Sequence, residues 1–159
     1  VLNTVMLITF FGLVSCENKS DTTLDKVALT KEIEQRFSTF VNHMNKLEGE
    51  ELKDFYSNDD RFYWVEDGQV QYDSKPVLEA SLDGLVGMLS SSDMKVLETK
   101  VEVISASSAM LYAEYEQAMT MQVGGGFDIN GAMTVQLQKE EGVWRFLIGH
   151  SSTKKPRGG

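Results

Sequence analysis

From Thr30 onward the apolar positions recur at helical spacing: Ile33, Phe37, Phe40, Val41, Met44 and Leu47 fall on one side of a 3.6-residue period. The pattern predicts an amphipathic helix over residues 31–46, with Thr30 as its N-cap. His43 lies off the apolar stripe and is expected at the solvated surface. Gly49 breaks the run, and Leu52, Phe55 and Tyr56 mark the inward side of a short second helix over residues 50–56. Residues 57–60, Ser-Asn-Asp-Asp, carry turn chemistry.

Residues 61–66 alternate as a strand, with Phe62 and Trp64 facing one way and Tyr63 and Val65 the other. Asp67-Gly68 turns the chain into a return strand over 69–72. Asp73 or Ser74 caps a third helix with Pro76 in its first turn. Its inward positions are Val77, Leu78, Leu82, Leu85, Val86 and Leu89, and the polar run 90–93 ends it.

After Asp93 the period becomes two. Leu97, Val101 and Val103 form one apolar row, then Leu111, Ala113, Tyr115, Met119, Met121 and Val123, then Met133, Val135 and Leu137. Turns are expected at 105–108 and at Glu141-Gly142, with Gly124 to Gly126 and Asn130-Gly131 bracketing a loose hairpin end. In the last strand Trp144, Phe146, Ile148 and His150 share a face, so an imidazole closes an apolar row. The layout is α+β, with three helices packed on one face of a curved antiparallel sheet.

A chain of 159 residues, 42% of them hydrophobic, supports one core, placed here over residues 30–153. The net charge of -9 excludes nucleic acid as a partner, since phosphates require clustered Lys and Arg. The basic residues of 154–159 read as a disordered tail. Residues 1–15 contain no charged side chain and fall short of the roughly 20 apolar residues a bilayer span needs; they have the length of a signal-peptide core.

The tetrapeptide Leu13-Val14-Ser15-Cys16 resembles the lipobox of bacterial lipoproteins. That resemblance implies cleavage before Cys16, acylation of its thiol, and a lipid anchor in the cell envelope, periplasmic or outer-membrane. Cys16 is the only cysteine, so no disulfide competes for it. Residues 1–16 are then a signal peptide and the polar residues 17–29 a tether.

The phrases Tyr56-Ser57-Asn58-Asp59-Asp60, Glu66-Asp67-Gly68 and Gly142-Val143-Trp144-Arg145 through His150-Ser151-Ser152, in this order, resemble the SnoaL-like branch of the nuclear transport factor 2-like superfamily. The similarity spans roughly residues 31–152. It implies a cone-shaped fold whose helices and curved sheet enclose a pocket, and homodimers formed through the outer sheet face.

The ketosteroid isomerases of that superfamily use a carboxylate base on the first hairpin and buried donors to an enolate. The resemblance sets the base at Trp64, the tyrosine donor at Phe40 and the acidic donor near Gly131 to Met133. None of these can move the proton, which disfavours that mechanism.

His150 is left as the candidate catalytic group, a general base with an unperturbed pKa near 6.5. Phe40, Tyr56, Trp64, Tyr115 and His150 form the expected ligand pocket. No metal and no cofactor is expected, because there is one Cys and no paired-His motif of zinc spacing.

Three functions follow. The first is a lipid-anchored domain that binds a small apolar ligand without catalysis. The second is a His150-dependent isomerase or hydrolase, and the third a dimerisation or envelope-complex module using Glu114, Thr120 and Gln136.

Overall fold

The computed structural model describes residues 24–154. Cys16, the expected signal peptide, most of the tether and residues 155–159 lie outside the described residues.

The first helix, α1 (Lys26–Lys46), is capped by Asp25, whose carboxylate accepts from the Ala28 N–H at 3.0 Å. Residues 26–29, expected in the tether, are therefore helical, and Thr30 lies inside the helix. The helix stops at Leu47, which adopts a left-handed φ of 57°, and Gly49 opens α2 (Gly49–Lys53) rather than ending α1. Ile33, Phe37, Phe40 and Met44 form the buried stripe of α1. Arg36 lies 3.6 Å over the Phe55 ring and donates to Asp54 and to the Trp144 carbonyl, joining α1 to α2 and to the last strand.

A hairpin of β1 (Tyr63–Glu66) and β2 (Gln69–Tyr72) precedes α3 (Lys75–Met88). The long strands follow: β3 (Leu89–Ser105), β4 (Ser108–Met121), β5 (Gly126–Glu140) and β6 (Val143–Thr153). The sheet order is β2-β1-β6-β5-β4-β3. All neighbours are antiparallel except β1 and β6, which run parallel, so the sheet is mixed. Residues 90–93 do not end α3 in a turn. They pair with the end of β4, Ser92 against Met119, because the ladder outweighs the turn preference of serine and aspartate. Likewise β5 passes through Asn130-Gly131 without turning.

The inner sheet face carries Leu111, Val135, Leu137 and Phe146, all fully buried in one core with Ile33, Phe37 and Phe40 of α1. Val123, expected in the inward row, lies beyond β4 and is exposed. Leu97 is also exposed, because the β3–β4 register shifts between Val96 and Glu98 and leaves it out of the ladder. Edge strand β3 is tied to α1 at one residue: Asn45 donates to the Met94 carbonyl at 3.0 Å and accepts from the Met94 N–H at 2.6 Å.

One irregularity decides the fate of His150. Between β5 and β6, Gln136 pairs with Ile148 but Leu137 pairs with Phe146, so Leu147 is an extra residue in β6. A bulge of one residue reverses the facing of every position beyond it. Trp144 and Phe146 face the core as expected; after the bulge, Gly149 and Ser151 do. Ile148 and His150 turn outward, and His150 is exposed opposite Val65 and Thr134. The expectation that an imidazole ends the inner row is thus corrected.

Glu114, Thr120 and Gln136 lie on the outer face, the face opposite Tyr115 and Val135. Glu114 accepts from the Tyr112 hydroxyl at 2.6 Å and from Lys154 at 2.7 Å. Lys154, expected in the tail, is also bound through its N–H to the Asn130 carbonyl at 2.6 Å.

Candidate functional site

Two glycines make room for two large rings on the inner face. Gly149 stands opposite Trp64, and a Cβ built on it would lie 2.0 Å from the indole Cε3. Gly131 stands opposite Tyr115, and its Cβ would lie 2.9 Å from the phenol oxygen. Each ring can therefore lie across a neighbouring strand instead of standing off it.

Beside them is a cavity of about 140 Å³. Helix α1 contributes Phe40 and Met44, and α3 contributes Leu78, Ser81, Leu82 and Leu85. The hairpin supplies Trp64, Glu66 and Tyr72; the sheet supplies Met94, Tyr115, Gln117, Met133 and Ser151; Tyr56 follows α2.

Most polar groups of the lining are already engaged. Trp64 Nε1 donates to Ser151 Oγ at 3.1 Å, the Tyr72 hydroxyl meets Ser81 Oγ at 3.1 Å, and Gln117 donates to Ser92 Oγ at 2.9 Å. The phenols of Tyr56 and Tyr115 have no hydrogen-bond partner among the described residues. No buried side-chain N or O there lacks one, so both phenol oxygens reach open space.

Burial pushes the Tyr56 phenol well above its ordinary range, with Tyr72 and the Glu66 charge adding to the effect. Tyr115 is raised by burial and then by Glu66 and Asp67.

Glu66 is the one carboxylate in this lining, and no Lys, Arg or His accompanies it there. Desolvation, followed by repulsion from Asp67, raises its pKa. As a residue it remains exposed, being at the end of β1. Its carboxyl is nevertheless shielded enough for desolvation to be the larger cause.

A second recess, about 110 Å³, shares Glu66, Tyr115 and Ser151 and adds Asp67, Ile129, Ser152 and Thr153. Its rim is fastened by the Thr153 N–H, which donates to Asp67 at 3.0 Å, and by the Asp67 N–H, which donates to the Ser151 carbonyl at 3.0 Å.

Of the residues singled out from the sequence, Phe40, Tyr56, Trp64 and Tyr115 meet around this cavity. His150 does not line it. His43 is half-buried, with its Nδ1 2.6 Å from the Glu48 carboxylate and its ring 5.8 Å from Phe55. The residue that periodicity passed over is Glu66. It sits two positions after Trp64, so strand alternation already placed it on the same face. A carboxylate in a core-facing register was the available signal. Among the described residues, no group of three or more His, Cys, Asp and Glu is arranged to hold a metal ion. Chemically, a shielded carboxylate facing unengaged phenols can take a proton from a bound molecule or balance a positive charge on it.

No family model matches the chain, and no curated protein does. Solved structures do. A nuclear transport factor 2-like superfamily protein from Salmonella enterica serovar Typhimurium superposes with a TM-score of 0.72 at 12% identity, covering 83% of this chain and 95% of that one. A proposed scytalone dehydratase from Novosphingobium aromaticivorans gives 0.72 at 14% identity, over 81% and 86% of the two chains. A hexachlorocyclohexane dehydrochlorinase gives 0.68 at 16% identity, over 83% and 89%. The chain has the nuclear transport factor 2-like fold, an α+β cone of three helices against a curved six-stranded sheet. The same fold carries different activities in these neighbours, so function is argued from the site.

Proposed function

We propose that this domain binds a small, mostly apolar molecule in the cavity bounded by Phe40, Tyr56, Trp64 and Tyr115. The observation that carries the reading is the lining itself: aromatic, Leu and Met side chains around about 140 Å³, with two unengaged phenol hydroxyls. Apolar cavities of roughly 150 Å³ accept benzene, which sets the size of the ligand at one ring or an equivalent aliphatic body. The phenols of Tyr56 and Tyr115 supply hydrogen bonds to a single polar group on it. An enzymatic role through His150 has lost its support, because that ring is exposed on the outer sheet face.

Thermal unfolding with single-ring ligands tests the reading. A ligand at a hundred times its Kd adds about 2.7 kcal/mol of stability, a rise of several degrees in Tm. The same ligands should leave Leu82→Trp, in which the cavity is filled, unmoved. If no such ligand raises the Tm of the unsubstituted protein, the reading falls.

The address is part of the proposal. The Leu13-Val14-Ser15-Cys16 sequence supports lipid attachment at Cys16. Intact-mass measurement of the membrane fraction should show an acylated mature chain, and Cys16→Ser should abolish it.

A further inference from the structure

We propose that the cavity selects a small organic amine in its cationic form, with Glu66 as counter-ion and the rings of Trp64, Tyr56 and Tyr115 around the ammonium group. This rests on the cavity reading above and names the chemical class of its ligand.

Charge balance is the argument. Glu66 lines both recesses, and neither lining contains a Lys, Arg or His. No ion pair within 4 Å engages Glu66 among the described residues, whereas Glu114 on β4, Glu140 on β5 and Asp54 after α2 are each paired with Lys or Arg. A neutral apolar ligand seated against this carboxylate would displace part of its water and offer no charge in return, which is unfavourable. An anionic ligand would meet Glu66 and, at the outer recess, Asp67. A cation repairs the deficit.

The kind of cation follows from the rest of the wall. A hard metal ion needs six or more oxygen ligands or several carboxylates, and the cavity offers one carboxylate among aromatic and aliphatic side chains. Aromatic rings attract ammonium groups through their quadrupoles, most strongly when water is excluded. Trp64 and Tyr56 stand nearly at right angles, 71° with centroids 5.9 Å apart, so they present different surfaces to one occupant. The unengaged phenol oxygens can accept ammonium N–H bonds. The apolar body of the amine then packs on Met44, Leu82 and Met133. Desolvation, and after it repulsion from Asp67, disfavours the Glu66 charge, and a bound positive charge offsets both.

Calorimetric titration with benzylammonium and with benzyl alcohol, which share a body and differ in charge, tests this. The unsubstituted protein at neutral pH should bind the ammonium at least tenfold more tightly. Glu66→Gln should erase that preference from both sides, weakening the ammonium and leaving the alcohol bound as tightly or more tightly, because no carboxylate is then stripped of water. Without any substitution, acidification that protonates Glu66 should weaken the ammonium and not the alcohol. Equal affinity for the two, or a preference that survives in Glu66→Gln or at acid pH, overturns the amine assignment and leaves the cavity reading intact. If neither compound binds, the cavity reading fails and the amine with it.

Discussion

Trp64 and Gly149 face each other across the parallel pairing of β1 and β6, the indole lying where a side chain on residue 149 would have to be. The indole cannot simply swing aside, because its Nε1 is bonded to Ser151 two residues further along β6. Gly149→Ala would put a methyl carbon within 2.5 Å of three ring carbons. Over-packing of this kind costs about 1–3 kcal/mol. We expect the unfolding free energy to fall by that amount, read as a lower urea midpoint at unchanged slope, together with loss of cavity binding as the indole is displaced inward. An unchanged midpoint would show that the ring is less confined than the packing indicates.

Tyr56 and Phe146 are neighbours at right angles, 84° with centroids 5.6 Å apart, yet their side chains should respond differently to truncation. The Tyr56 hydroxyl has no protein partner to lose, so Tyr56→Phe should change stability by less than about 0.5 kcal/mol. It should instead weaken a ligand that bonds to the phenol, by roughly fivefold for one hydrogen bond of about 1 kcal/mol. Phe146 is wholly buried, and Phe146→Ala should cost about 3–5 kcal/mol. Chemical denaturation and titration of the two variants separate the effects. A large stability loss in Tyr56→Phe would mean that the hydroxyl is engaged structurally.

Much of this was readable in advance, for physical reasons. Helix α1 announces itself because Ile33, Phe37, Phe40 and Met44 must all reach one core, and the inner rows of β4 and β5 do so by their alternation. Phe40 and Tyr115 lie on those rows, and Tyr56 and Trp64 on the inward side of the short helix and the first hairpin; that they surround a pocket was what the family resemblance implied. What failed were features set by partners distant in sequence. The Leu147 bulge exists because β6 must satisfy β5 on one side and β1 on the other, and nothing in its own composition marks the extra residue. The polar start of β3 is held by β4, not by its own propensity. Glu66 was legible but passed over: alternation over residues 61–66 puts it on the face of Phe62 and Trp64, but the Ser151 it stands opposite comes from β6, far along the chain.

His150 gives the simplest test of that bulge. On the outer face it contacts neither the cavity nor the ligand, so His150→Ala should leave ligand affinity within about twofold and stability within about 0.5 kcal/mol. Deleting Leu147 would remove the extra residue and return the strand to simple alternation. It should cost far more, because either the buried Trp144 and Phe146 or Gly149 beneath Trp64 would have to change face. Calorimetry on both variants decides the matter. Loss of binding in His150→Ala alone would place the imidazole back at the site.

The pH dependence of stability should carry two opposed signatures. Asp54 is pushed up by burial, but hydrogen bonds from Arg145 and Arg36 prevail and hold it below its ordinary value of 3.8. A depressed carboxyl contributes stability that is present above the unfolded value and is lost as pH falls through the folded one. Asp59, lowered to about 2 by its hydrogen bonds with Arg61, acts in the same direction at the solvated surface.

Glu66 runs the other way. Its folded pKa lies above 4.5, so the folded protein holds the proton more tightly than the unfolded chain does. That contribution is complete below 4.5 and disappears as pH rises through the raised value. On acidification from neutrality, stability should therefore first increase as Glu66 protonates, and then fall as Asp54 does. Glu66→Gln removes the first limb only. The variant should be the more stable protein at pH 7, and the difference should vanish below about pH 4.5, the ordinary glutamate value. Urea unfolding across pH 3–8 on both proteins measures this. Parallel curves over the whole range would mean that Glu66 is as well solvated in the folded chain as in the unfolded one, and that the cavity places no electrostatic demand on what enters it.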